Sequence, residues 1–207
     1  RSMAFEPAVA PGGCSNCIAA SDHEGESNPD PDVLPTNGNN VWTNGNTNTY
    51  RENDFINFRF IVTSSAAANG NLVVNFTGNG GKCDFFDGTI GGGSVGSIVR
   101  QVMVPISGTA PTIAAIGTPQ LVAGDWNQKF EVNFEGAGSA YLYYHLRLTD
   151  TAGECNGSSQ NSQLVNPPDT GDFKNVGQVT VPVPARDVLR NPEITVIKYV
   201  NDVPASG

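Results

Sequence analysis

The residues best suited to chemistry in this 207-residue chain are its four cysteines. Cys14 and Cys17 form a C-x-x-C motif, whereas Cys83 and Cys155 stand apart, much later in the sequence. Four cysteines in a chain with few charges favour disulfides and an oxidising compartment. Two pairings stay open: either Cys14 pairs with Cys17 and Cys83 with Cys155, or the motif is tied to the two later cysteines.

Metal binding is the alternative use of a C-x-x-C motif, which can also be redox-active or supply half of a zinc site. A zinc site needs further ligands at short spacing. No second C-x-x-C motif is present, and His23 and His145 are isolated from each other in the sequence. We therefore expect disulfides, and no metal or other cofactor at the cysteines.

Residues 21–40 combine acidic side chains with turn-forming residues, a composition that could bind calcium through carboxylate oxygens. The candidate ligands are Asp22, Glu24, Glu26, Asp30 and Asp32. Their order does not match an EF-hand, whose ligands occupy fixed positions around a central glycine. Loose acidic loops are usually only hydrated, so the sequence favours an irregular surface arm over residues 1–40, with calcium as the alternative.

A serine-hydrolase motif is matched formally by Gly92 to Gly96, which reads G-x-S-x-G. A nucleophile elbow needs a strand before it, a helix after it, and histidine and acidic partners. Glycines precede Ser94 and a β-prone run follows it, so we expect an ordinary loop. Together with two isolated histidines and no metal motif, this predicts that the protein is not an enzyme and has no catalytic residues.

The charge balance narrows the class of partner. Eleven Lys and Arg against twenty Asp and Glu give a net charge of −9, and only 15% of the residues are charged. A net negative charge disfavours nucleic acid and anionic lipid surfaces. No apolar run approaches the roughly 20 residues that cross a bilayer, so no membrane insertion is expected. A polar surface of Asn, Thr, Ser and Gly indicates an extracellular or cell-surface β protein.

Aromatic side chains are the best candidates for binding a glycan, because their faces stack on sugars and their polar tips form hydrogen bonds. The candidates are Trp42, Trp126, Tyr141 and Tyr143. Tyr141 and Tyr143 alternate with apolar residues, so they share one face of a predicted strand with His145 and Arg147. The alternative is that this face is simply packed against a neighbour.

Two sequons permit N-glycosylation, at Asn75 and Asn156. We expect Asn156 to lie in a loop just after Cys155 and to be the more accessible. Asn75 alternates with core residues of a predicted strand, so its side chain should point away from the core.

The elements that must position these side chains are strands. Phe58, Phe60 and Val62 alternate with polar or outward-facing neighbours, which is the period of a half-buried strand. Asn69-Gly70 is suited to a hairpin turn before a second alternating run, Leu72 to Phe76. The same pattern returns in KFEVNF and AYLYYHLRL, and Cys155 then takes the place of Cys83.

We interpret this recurrence as an internal duplication of one β module. The first copy spans about 41–117 and the second about 118–190, between the arm at 1–40 and a C-terminal strand at 191–207. The two copies could form separate sandwiches or one fused sandwich, and the sequence leaves both open.

Residues 53–108 resemble the Ig-like conserved-repeat modules of bacterial cell-surface proteins. The matching pieces are DFINFRFIV, AANGNLVVNFT, GGKC and VRQVMVPIS, and the second copy resembles the family less closely. The resemblance implies an all-β fold of two tandem Ig-like β-sandwich modules. It also implies an extracellular, structural role with no catalytic residues.

The C-terminal run ITVIKYVND is similar to the opening strand of further repeats in surface adhesins and pilins. The expected assembly strand comprises Ile194, Val196, Lys198 and Tyr199. In some of those proteins a strand lysine forms an isopeptide crosslink, and Lys198 occupies a comparable place. No partner strand remains in the chain for this run, and an uncovered apolar strand is costly. The run could be the first strand of a further module, it could pair back on the sheet of this chain, or it could pair with a neighbouring chain by β-strand addition.

These observations predict a non-catalytic structural module of an extracellular surface protein or filament, with other copies of itself as partners. The alternative is an adhesin module that binds a carbohydrate or a host surface through the aromatic candidates.

Overall fold

The computed structural model describes residues 14–27, 41–47, 50–78, 83–88, 101–155, 160–176, 179–190, 199–200 and 203–204. Within these ranges the protein is all-β, as predicted, and two antiparallel five-stranded sheets form a β-sandwich. The helical segments in the same ranges are two 3₁₀ turns, Ala152–Glu154 and Ala185–Asp187. None of the described helical segments has the length and apolar character needed to cross a membrane.

The strands follow in chain order. They are β1 (Ile18–Glu26), β2 (Trp42–Thr43), β3 (Phe55–Ser64), β4 (Ala68–Thr77), β5 (Gln101–Gly108), β6 (Thr112–Val122), β7 (Asp125–Phe134), β8 (Gly138–Arg147), β9 (Gln160–Val165), β10 (Val179–Val183), β11 (Tyr199–Val200) and β12 (Val203–Pro204). Sheet 1 has the order β2-β1-β3-β8-β5, and sheet 2 has the order β10-β9-β4-β7-β6.

Each sheet combines strands from both predicted modules. β3 pairs with β8 from end to end, and β4 pairs with β7 in the same way. The short connections at 65–67 and 135–137 cross from one sheet to the other, so the strands they join are not hairpin partners. Each strand instead finds its partner in the other half of the chain. The segments 41–117 and 118–190 therefore share one fused sandwich and do not form two sandwiches in tandem.

The turn predicted at Asn69-Gly70 is wrong, because β4 already begins at Ala68. Gly70 instead allows the segment around Thr170 and Phe173 to pass close to β4. A Cβ atom at this position would lie 2.6 Å from the ring of Phe173 and 2.8 Å from the carbonyl oxygen of Thr170. Because backbone atoms cannot give way easily, only glycine lets this segment pass so near the strand.

Part of the arm predicted to be irregular is also a strand. β1 pairs with β3, and Ile18 at its start is fully buried. The pairing register shifts between Ser21 and Glu24, where Asp22 has a φ of 49°. This bulge interrupts the period-two alternation, which is why the sequence pattern did not reveal the strand.

The inner faces of the two sheets enclose one hydrophobic core. Its fully buried members include the alternating residues predicted for the core, namely Phe58, Phe60, Val62, Leu72, Val74, Phe76, Phe130, Val132, Phe134, Leu142, Tyr144, Leu146 and Leu148. Full burial of such a side chain contributes about 1.5–3 kcal/mol, so this core is the main source of stability.

The C-terminal run is described only in part. Tyr199 and Val200 pair with Pro204 and Val203, so the tail folds back on itself there. The sequence left open whether this run pairs within its own chain or with a neighbouring chain. Ile194, Val196 and Lys198 lie outside the described residues, as does the motif at 92–96.

Candidate binding site

Both disulfides follow the first of the two predicted pairings. Cys14 is bonded to Cys17 and Cys83 to Cys155, with Cα–Cα distances of 5.6 Å and 5.3 Å. Cys83 follows β4 of sheet 2, whereas Cys155 follows β8 of sheet 1. The second bridge therefore ties together chain segments that leave different sheets. All four cysteines are consumed, which fits an oxidising environment.

The outer face of sheet 1 carries a group of side chains that we call the Arg59 cluster. Its members are Glu24, Trp42, Arg59, Tyr141 and Tyr143. Four strands position them, because β1, β2, β3 and β8 are neighbours in the sheet. The register places Arg59 directly opposite both Glu24 and Tyr143.

The guanidinium group of Arg59 is the centre of this cluster. Its Cζ atom lies 4.4 Å from the ring centroid of Trp42 and 4.8 Å from that of Tyr141, distances typical of cation–π contacts. Nε donates to Glu24 Oε2 at 2.7 Å, and Nη2 lies 2.6 Å from the same oxygen. Because the carboxylate of Glu24 offsets the positive charge of Arg59, this surface is not a basic patch. It is an aromatic surface whose rings are fixed in position by their contacts with Arg59.

Accessibility differs among the aromatic members. Tyr143 is only 7% exposed, and its ring centroid lies 5.7 Å from those of both Trp42 and Tyr141. Trp42 and Tyr141 are half-buried, so each still presents part of its ring to solvent. A ligand could thus reach Trp42 and Tyr141, while Tyr143 supports them from behind.

The cluster unites three of the four predicted glycan-binding residues, Trp42, Tyr141 and Tyr143. Sequence reasoning missed Arg59 and Glu24. Arg59 alternates with the core residues of β3, which was a signal that it faces outward. Glu24 lay in the segment predicted to be an irregular arm, so nothing in the sequence placed it beside a strand.

Trp126 lies elsewhere, in a pocket of about 530 Å³. The pocket is lined by Asn53, Gly78, Asp84, Phe86, Asp87, Gly88, Leu121, Trp126, Arg147, Thr149 and Asp150. A Cβ atom at Gly88 would lie 2.0 Å from the indole ring, so backbone already covers that ring closely. Arg147 is held by Asn53, to whose Oδ1 it donates at 2.9 Å. The main role of Trp126 is therefore packing against the backbone near Gly88, and the structure does not place it with the other glycan-binding candidates.

The described members of the predicted calcium set do not converge. Glu24 is committed to Arg59, and buried Glu26 accepts a hydrogen bond from Asn57 at 2.6 Å. Asp22 is exposed and accepts a hydrogen bond from Ser21. Asp30 and Asp32 lie outside the described residues. Across the described ranges no group of three or more His, Cys, Asp or Glu side chains could hold a metal ion.

A polar chain crosses the core between the sheets. Nε2 of His23 lies 2.6 Å from the hydroxyl of Tyr144, and that hydroxyl lies 2.8 Å from Oγ of Ser162. Nδ1 of His23 lies 3.0 Å from the carbonyl oxygen of Val179. Burial lowers the pKa of His23 to about 4 and raises the pKa of Tyr144. All three side chains are buried. This series of hydrogen bonds therefore links the two sheets and is closed to solvent.

Asn75 points away from the core, as predicted, yet it is only 9% exposed. Its side-chain amide donates to Asn127 at 3.0 Å and accepts from Gln163 at 2.8 Å. These three amides form a row across the outer face of sheet 2. The glycosylation candidate Asn75 is the middle member of this row, and its side chain is hydrogen-bonded on both sides. The other candidate, Asn156, lies outside the described residues.

Comparison with known proteins gives no match to this chain, whether with protein-family models, with curated proteins or with solved structures.

Proposed function

We propose that the protein is a non-catalytic structural module of an extracellular surface protein or filament. The observation that carries this proposal is the single core shared by both halves of the chain and closed by the Cys83–Cys155 disulfide. Long paired strands around a filled core make a stiff unit, and a disulfide of this kind persists outside the cytosol. Both histidines are buried, which suits packing better than proton transfer to a ligand.

The strand pairing supports an internal duplication of one β unit. β3 with β4 and β7 with β8 are two arches of equal strand length. The first strand of each arch pairs with the second strand of the other, as two facing copies of one unit would do. Cys83 and Cys155 follow the second strand of their own arches and are bonded to each other.

Self-assembly by β-strand addition, with residues 191–207 as donor, completes the proposal. The test is the full chain compared with a chain lacking 191–207, examined by electron microscopy and size-exclusion chromatography. We expect the shortened chain to keep its circular-dichroism spectrum and to lose polymers. Deletion of 205–207 alone serves as the control. Polymers of unchanged length without 191–207 would refute the donor role.

The second candidate function is a carbohydrate- or host-surface-binding adhesin module, and the Arg59 cluster is the observation that favours it. Its rings are already held in place, so little side-chain entropy would be lost on binding. A glycan array should show binding that falls in Trp42→Ala and in Tyr141→Ala. Leu189→Ala, a change at an exposed apolar residue outside the cluster, should bind as the parent does. An array with no signal for the parent chain would contradict glycan binding, and the structural role would then be the one remaining candidate.

A further inference from the structure

Residues 101–122 contain no Asp, Glu, Lys or Arg, although the chain as a whole has a net charge of −9. This stretch supplies an edge strand of each sheet, β5 in sheet 1 and β6 in sheet 2. Proteins usually protect edge strands with charged side chains, prolines or bulges, because the free backbone groups would otherwise pair with another chain. The two edge strands in residues 101–122 therefore lack the charged side chains that usually prevent pairing with another chain.

Most of the described edges still carry another form of protection. β5 contains Pro105 and a register shift just after it, β10 contains Pro182, and β2 has only two residues. The second half of β6 contains Pro119 and a register shift between Ile116 and Gln120. The first half of β6, Thr112 to Ile116, has neither, and it pairs regularly with β7. We call these five residues the open edge.

The side of the open edge that faces away from β7 is the side with which a second strand would pair. Every second residue of an edge strand directs its N–H and C=O groups away from its partner strand. Among the described residues, no strand pairs with β6 on the side opposite β7. The side chains of Thr112, Ala114 and Ile116 are exposed, with Ile116 at 41%. None of the five residues of the open edge is charged or a proline, the two residue types that most often keep a second strand away.

We infer that the open edge pairs antiparallel with the open edge of a second copy, so that sheet 2 continues across a two-fold axis. Such an interface needs only one self-complementary patch. With Ala114 opposite its own counterpart, Ile113 faces Ala115 and Thr112 faces Ile116 of the other copy. Each isoleucine thus meets a smaller side chain, and no like charges are opposed despite the negative charge of both chains.

The choice of a second copy as partner rests on the proposed role in self-assembly, whereas the position of the edge rests on the strand pairing alone. The surface area that two paired five-residue strands bury is small compared with the roughly 1,200–2,000 Å² buried in stable complexes. The dimer should therefore be weak and concentration-dependent.

Sedimentation velocity of the full chain from micromolar to millimolar concentration tests the pairing. We expect the parent chain to show a concentration-dependent dimer contact in addition to the polymers formed through residues 191–207. Ala114→Lys places two positive charges opposite each other at the two-fold axis and should raise the dimer Kd at least about tenfold. Thr180→Lys makes the same change in charge on β10, the opposite edge of sheet 2, and should leave the Kd unchanged.

Crosslinking gives a second readout that does not depend on stability. Ala114→Cys should form a disulfide-linked dimer on oxidation, because directly opposed residues of antiparallel strands have Cβ atoms about 4.5–5.5 Å apart. Thr180→Cys should give no disulfide-linked dimer. A parent chain that stays monomeric throughout, or equal effects of the two lysine variants, would overturn the inference.

The same measurements on a chain lacking 191–207 separate this inference from the proposed donor role. A dimer that persists there and still responds to Ala114→Lys supports the open edge, even if longer polymers are lost. A dimer that disappears with residues 191–207 refutes pairing through the open edge and points to the tail as the contact.

Discussion

Arg59 connects four strands of sheet 1 through one planar group. Its guanidinium lies against the rings of Trp42 and Tyr141 and bonds to Glu24, so side chains from β1, β2, β3 and β8 meet at one residue. Arginine suits this position because its delocalised charge stacks on aromatic rings while its N–H groups still reach a carboxylate.

Arg59→Lys keeps the charge for Glu24 but loses the planar group between the rings. We expect a loss of about 0.5–1 kcal/mol in the free energy of unfolding, measured by denaturant titration. In a Trp42→Ala background the same change should cost less, because one of the two rings is gone. Arg186→Lys, at a side chain that is 82% exposed, is the control and should be neutral. An equal loss in both backgrounds would show that stacking on Trp42 contributes nothing.

His23 is a second residue whose chemistry depends on its surroundings. The bulge in β1 turns it into the core, where it meets Tyr144 and the carbonyl oxygen of Val179. Burial disfavours the imidazolium form and lowers the pKa of His23 from 6.5 to about 4. The histidine is therefore neutral in the folded protein at neutral pH.

Stability should fall as the pH falls from about 6.5 to about 4. In that window the unfolded chain binds a proton at His23 that the folded chain does not, so acid favours unfolding. Below the folded pKa both states are protonated and the loss is complete, at roughly 3 kcal/mol.

His23→Gln removes the titrating group and should remove this contribution. Denaturant titrations between pH 4.5 and 7.5 should show the parent losing more stability towards acid than the variant. Tyr144→Phe deletes the hydroxyl partner but keeps the histidine, so its acid loss should resemble that of the parent. A difference between parent and His23→Gln that does not change with pH would contradict the pKa shift.

Strands and their connections differ in how clearly the sequence shows them. In β3, β4, β7 and β8 large apolar residues recur at alternate positions over most of each strand, and this alternation predicted the strands. β9 escaped notice because its buried positions include Gln160 and Ser162. β6 escaped because an edge strand exposes most of its side chains on both faces. Alternation is thus strong evidence in central strands and weak at edges.

The two disulfides close loops of very different length, with separations of 3 and 72 residues. If restriction of the unfolded chain dominates, replacing Cys83 and Cys155 together by serine should cost about 4 kcal/mol, against about 2 kcal/mol for Cys14 and Cys17. Thermal and denaturant unfolding of the two double variants measure the difference. Equal costs, or a larger cost for the short loop, would contradict the loop-length argument.

The described strands of the sandwich form a single structural unit. Neither half of the chain contains the main pairing partners of its own long strands, because β3 needs β8 and β4 needs β7. The core likewise draws its large side chains from both halves. Tandem modules would instead have given each half a core of its own.

Residues 41–117 expressed alone should therefore not fold, and neither should residues 118–190. Circular dichroism and proton NMR should show unfolded spectra for each fragment, while the full chain unfolds in one transition. The full chain carrying one protease-cut bond in the exposed β6–β7 turn, near Ala123, is the control, since its halves stay together. A well-dispersed spectrum from 41–117 alone would refute the fused arrangement.

Alternation of apolar and polar residues fixed which side chains of the long strands face the core, because the two faces of a strand differ along the sequence itself. It could not decide which strands pair. An arch between two sheets and a hairpin within one sheet need the same alternation, and strand partners are chosen by long-range packing. The Arg59 cluster and the chain through His23 each gather residues from separate strands. Only the tertiary pairing brought those strands together.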